Sequence, residues 1–130
     1  MSDEALKKLV WEKGRAVLGY DSKFVRKDAC GAWMSFEDYN DRNSPFGWEI
    51  DHVYPKSKLE KLNVPDELIN HIDNLRPMNW HNNVSKADDY PAYQATLKSE
   101  EDHNIACEEE KYVNKRTRDK IVALFKDYSI

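Results

Sequence analysis

Asp51 and His52 are adjacent, Asn74 follows 22 residues after His52, Asn83 comes nine residues after Asn74, and Lys86 comes three after that. These residue types suit hydrolysis of a phosphodiester, which needs an activated water, an in-line geometry and positive charge where the leaving oxygen becomes anionic. A histidine with an unperturbed pKa of roughly 6.5 accepts a proton from water near neutral pH, help worth about 10²–10⁴-fold, and His52 is assigned that task. Asp51 offers a carboxylate and Asn83 a neutral oxygen; two protein oxygens completed by water and phosphate oxygens suit one Mg²⁺ or Mn²⁺. Asn74, with both donor and acceptor, is read as the brace of the loop that aims the histidine. Lys86, one helical turn after Asn83, either approaches a substrate phosphate or steadies that loop, and Arg76 is a further phosphate-contact candidate. His81 precedes Asn83 by two positions and does not share its helical face, which favours a structural or DNA-contact role over ligation.

These side chains need elements to position them. Asn43-Ser44-Pro45-Phe46-Gly47 is a turn signal, and the alternation of Trp48, Ile50 and Val53 predicts a strand entering the Asp-His pair and ending by Pro55. Neighbours on a regular strand face opposite ways, so the strand must end or bulge at Asp51-His52 for both to address one phosphate. A helical insert beginning at Pro65 interrupts the following loop. Asn74 to Met78 reads as a second strand, and Asn79 or Trp80 opens a helix to about Asp88. An N-terminal helix over about 3–13, with Leu6, Leu9 and Val10 on its apolar side, and a C-terminal helix over about 114–127 flank this core of about 47–90. Short strands are expected near Phe24 and Ala32-Ser35, and Trp33, Trp48 and Trp80 are expected in the core.

The chain of 130 residues is read as a single domain with one core. Hydrophobic residues at 40% and charged ones at 34% exclude a disordered or membranous chain. The N-terminus lacks the basic and apolar stretch of a secretory signal, so a cytoplasmic location is expected, with no membrane partner. Cys30 and Cys107 form no ligand-spaced pair, so free thiols and no structural zinc are expected. Net charge is -4, but Lys111, Lys115, Arg116, Arg118, Lys120 and Lys126 face only Asp119 within their block. Lys115, Arg116 and Lys120 are therefore candidates for a phosphate-facing strip, with a solvated helix face as the plain alternative.

Trp48-Glu-Ile-Asp-His52, Asp73-Asn-Leu75 and Asn83-Val-Ser-Lys86 together resemble the HNH, or ββα-metal (His-Me finger), nucleases, a group that includes stand-alone phage and bacterial endonucleases. The resemblance covers about forty residues and implies an α+β fold in which helices surround a ββα-metal centre. It implies a metal ligand at Asp51, the general base at His52, the bracing Asn at Asn74 and the last ligand at Asn83. It further implies metal-dependent endonuclease activity on DNA, duplex ahead of single-stranded, leaving 5′-phosphate and 3′-hydroxyl ends. An RNase using the same site, or a nucleic-acid-binding module that kept the fold without activity, are the alternatives. The chain departs from many members in lacking two Cys pairs around a structural zinc, so packing of Trp48, Leu75 and Trp80 must do that work. Its loop between His52 and Asn74 is also longer than in compact members.

Overall fold

Ser2 opens the first helix, α1 (Asp3–Trp11), by accepting a hydrogen bond from Ala5 N, and Asp3 and Glu4 add favourable charge to the first turn. The computed structural model describes residues 2–130. α1 ends short of Lys13, where the N–H groups of Lys13 and Gly14 bond to the Val10 and Trp11 carbonyls in a tightened last turn. Val10 and Trp11 are buried while Leu9 is exposed, so the apolar face is turned from the expected one.

A short hairpin follows, β1 (Val25–Lys27) with β2 (Trp33–Ser35). β3 (Trp48–His52) pairs antiparallel with β4 (Leu75–Asn79), setting Trp48 opposite Asn79, Asp51 opposite Arg76 and His52 opposite Leu75. Gly47 is required just before β3, because a Cβ there would lie 1.9 Å from the Asp41 carbonyl oxygen. Its own carbonyl accepts from Trp80 N. The start of β3 is thereby tied to α4 (Trp80–Lys86), which follows β4 directly and is capped by the Asn79 side chain accepting from His81 N.

The loop from β3 to β4 is mostly helical. It holds α2 (Lys56–Lys61) and α3 (Asp66–Ile69), preceded by Pro55 and Pro65 respectively, and then a 3-10 turn over Ile72–Asn74. Proline is suited to such starts because its fixed φ fits and its missing N–H has no bond to lose.

After α4 comes a long hairpin, β5 (Ala92–Glu100) with β6 (His103–Tyr112), and then α5 (Lys115–Leu124), capped by Asn114. The hairpin has no counterpart among the elements expected from sequence. Its signal is weak: the turn at Glu101 and Asp102 lacks the Asn-Gly or Asp-Gly that marks tight hairpins, and β6 carries Glu108, Glu109 and Glu110 in a row.

Among the described residues the architecture is thus mixed α+β, with five α-helices and three two-stranded antiparallel hairpins. β3 and β4 divide the core. Trp48 and Leu75 face Val10, Trp11 and Met34, whereas Val53 and Met78 join Leu59, Ile69, Tyr93, Ile121 and Phe125. On α5 Ile121 is buried and Val122 is exposed. Trp48 is fully buried amid Trp11, Phe36 and Tyr39, with ring centroids 4.7–6.0 Å away. This aromatic packing fixes β3 without any zinc-binding cysteines; Cys30 and Cys107 are free. No helix among the described residues is long and apolar enough to cross a membrane.

Candidate active site

β3 ends at His52, so the chain turns where the Asp-His pair sits and both residues line one cleft of about 260 Å³, together with Asn83, Lys56, Ser57 and Asp88. The cleft lies where the end of β3, the start of α2 and the last turn of α4 meet. Asn83 reaches it because α4 starts immediately after β4 and carries it one turn down the helix.

The His52 ring is held from an unexpected side. Its Nε2 lies 2.8 Å from Asn70 Oδ1, at the end of α3. That oxygen can only accept, so in the neutral ring Nε2 carries the proton and Nδ1 keeps the basic lone pair. Asn74 does not touch the ring. Fully buried, it accepts from Tyr54 N at 2.8 Å and donates to the carbonyls of Tyr54 and Ile69, tying the two ends of the helical loop together. Asn74 therefore braces the loop, while Asn70, which that loop carries, orients the imidazole. Nothing in the spacing of the sequence singles out Asn70, because only the folded-back loop brings it to His52.

Asn83 is oriented in a similar way. Its Nδ2 donates to Glu49 Oε1 at 2.9 Å, leaving the Oδ1 lone pairs uncommitted. Glu49 is gripped in turn by Arg42, with N–O distances of 2.7 and 3.1 Å. Burial would raise the Glu49 pKa, but the hydrogen bonds from Arg42 and Asn83 outweigh it and hold it low. Glu49 shares the Asp51 face of β3, a period-two relation visible in the sequence.

Asp51 is only 4% exposed and meets two cations: Arg76 Nε at 2.9 Å from Oδ2 and Lys86 Nζ at 3.3 Å from Oδ1. Burial lowers the Lys86 pKa against the pull of Asp51; for Arg76 burial is the largest single influence and lowers the pKa, but Asp51 and Tyr93 together outweigh it and the net shift is upward. Both cations are committed to Asp51. Lys86 has no exposed surface and neither residue lines the cleft; Lys86 instead donates to the His52 carbonyl at 3.2 Å, steadying the strand end.

His81 stacks on Trp80, ring centroids 3.6 Å apart, and stays out of the cleft; burial lowers its pKa. Lys115, Arg116 and Lys120 are exposed on α5, with Lys115 paired to Asp119 at 2.8 Å, and none of them lines the cleft.

The donor set admits a divalent ion on limited terms. No group of three His, Cys, Asp or Glu side chains able to hold a metal occurs among the described residues. Asp51 and Asn83 supply two oxygens in one cleft, and a carboxylate oxygen with one hydrogen bond retains a further lone pair, so the set fits an ion whose other positions are filled by water and substrate. Arg76 and Lys86 already neutralise Asp51, so the site by itself attracts a cation weakly.

A second polar cluster lies at the corner between β4 and α4. Buried Asp28 accepts four hydrogen bonds, from Cys30 N, Ala32 N, Asn79 N and Asn82 Nδ2, all at 2.8–3.0 Å. Burial pushes its pKa up, and those four donors draw it part of the way back. Asn82 Oδ1 also accepts from Thr96 N and Leu97 N, pinning β5 to α4 where β5 and β6 slip register.

Comparison of the chain with models of known families, with curated proteins and with solved structures gives no match. The resemblance to the HNH nucleases thus rests on the motif residues of the sequence.

Proposed function

We propose that this chain is a divalent-metal-dependent HNH-type endonuclease that hydrolyses DNA, with β3, β4 and α4 forming a ββα-metal centre. The observation that carries this reading is a single cleft gathering Asp51, His52 and Asn83, in which Asn70 leaves His52 Nδ1 basic. His52 accepts the proton of the attacking water, and Asn74 holds the loop that presents Asn70. Asn83 offers its amide oxygen because Glu49 holds its nitrogen, and Lys56 places positive charge at the cleft. When bound between Asp51 and Asn83, Mg²⁺ or Mn²⁺ supplies charge stabilisation for the leaving oxygen. Since phosphate contacts carry no base information, nothing in the cleft distinguishes one DNA sequence from another.

Incubating the purified protein with plasmid, single-stranded DNA and RNA, with Mg²⁺ or Mn²⁺ and with chelator, tests the proposal. Metal-dependent nicking or linearisation of plasmid is expected; no cleavage of any substrate with either metal removes the reading. Cleavage of RNA alone assigns the same site to a ribonuclease. One observation favours a second reading: two buried cations already neutralise Asp51, as in a site kept for structure. That reading, a nucleic-acid-binding module without activity, requires DNA to be bound and left uncut.

A further inference from the structure

Arg76 is the link between the Asp51 cluster and a different cleft. Its Nε is spent on Asp51, but its Nη2 is buried with no hydrogen-bond partner among the described residues. Asp51 carries one negative charge against the two positive charges of Arg76 and Lys86, with Asp88 acting on Lys86 from farther off and the Tyr93 ring 5.1 Å from the Arg76 guanidinium. An unpaired donor and an unbalanced charge are each costly inside a protein.

Arg76 also lines a cleft of about 240 Å³ with Lys13, Gly14, Arg15, Asp28, Ala29, Pro77 and Asn114. Lys13, Arg15 and Arg76 put three cations around it. The only acid in its wall is Asp28, which is almost fully buried and already accepts four hydrogen bonds. The positive charge continues past the cleft: burial lowers the Lys13 pKa, Asp73 pulls it back, and the charges of Lys120 and Arg76 lower it further. Lys13 Nζ is fixed by donating to the Ile72 and Leu75 carbonyls, leaving one N–H, and Arg15 holds the Ala29 carbonyl only at 3.4 Å.

We propose that this cleft, between the end of α1, β4 and the cap of α5, binds a phosphate group that completes the charge balance of the Asp51–Arg76–Lys86 cluster. A phosphate there lowers the energy of the cluster by its field. The source of the phosphate is either the backbone of a nucleic acid or a small phosphorylated molecule. The site stands apart from the Asp51–His52–Asn83 cleft and does not depend on cleavage.

The test is a titration of the full chain with inorganic phosphate at constant ionic strength, in chelator, followed by backbone amide NMR. Saturable shifts are expected at Gly14, Arg15, Ala29 and Asn114, with affinity about tenfold weaker in Arg15→Gln, which removes one charge-assisted hydrogen bond to the anion. Lys13→Gln should weaken it comparably; Arg15, whose side chain is exposed, keeps the test valid if that variant unfolds. Non-saturating shifts, shifts centred on His52 and Lys56, or unchanged affinity in Arg15→Gln overturn the proposal. Adding a short DNA duplex identifies the source: displacement of phosphate at Arg15 makes this a backbone-phosphate site, and retention of phosphate makes it a site for a small phosphorylated ligand. A protein that binds phosphate here yet cuts no nucleic acid would lose the nuclease reading and keep this one.

Discussion

Asp28 meets the β4–α4 unit at its corner, through Asn79 and Asn82; Asp51 meets it at the other end, through Arg76 and Lys86, with Asn83 in the neighbouring cleft. Both carboxylates are buried, and both work beside asparagines of α4. Around Asp28 four N–H donors converge on the two oxygens. At the other end His52 and Asn83 line a cleft, and one polar atom of each is held by a hydrogen bond while the other has no protein partner. Aspartate and asparagine are structural where every lone pair is met and available for chemistry where some are left over.

The sharpest break between the two regions should come from His52→Ala. It should cost cleavage about 10²–10⁴-fold while leaving the melting temperature nearly unchanged, because it removes the base and disturbs little packing. A folded His52→Ala protein cutting at the parent rate would end its role as base. Asp28→Asn should do the reverse. It turns an NH₂ toward two of the four donors, so a destabilisation of about 3 kcal/mol is expected, read by urea unfolding, with cleavage falling only as folded protein disappears.

Asn74 and Asn83 sharpen the contrast within the site. Asn74→Ala strands buried polar groups of Tyr54 and Ile69 and releases the loop bearing Asn70, so stability and rate should both fall, the rate about 10–100-fold, with no rescue by metal. Asn83→Ala removes one oxygen from a half-exposed position; stability should hold, and raised Mn²⁺ should restore part of the rate. Equal rescue of the two in metal titrations would erase the distinction between brace and ligand.

Smaller effects should follow for the partner of the imidazole and for the surface strip. Asn70→Ala frees the His52 ring and should slow cleavage about tenfold at unchanged substrate affinity. Neutralising Lys115, Arg116 and Lys120 should leave turnover at saturating DNA intact. The salt dependence of binding should flatten by roughly 0.9 in log–log slope for each duplex phosphate that the protein ceases to neutralise. An unchanged slope would make α5 a solvated face and leave phosphate binding to the Lys13–Arg15–Arg76 cleft.

The amino-acid sequence by itself determined the local parts. Period-two alternation marked β3 from Trp48, Pro65 marked where the second loop helix begins, and the Asn79 cap with the pattern after it placed α4, since such signals lie within a few residues of what they specify. The order Asp51, His52, Asn74, Asn83 likewise named the candidate site. Tertiary structure alone decided which groups meet. It buried Lys86 against Asp51, kept Arg76 out of the lining of the His52 cleft, made Asn70 the partner of His52 and built the Asp28 hub, because each depends on contacts 18 to 54 residues apart. Such pairings follow from how whole elements pack, and no local spacing encodes them; the β5–β6 hairpin, held to α4 by Asn82, belongs on that side of the line.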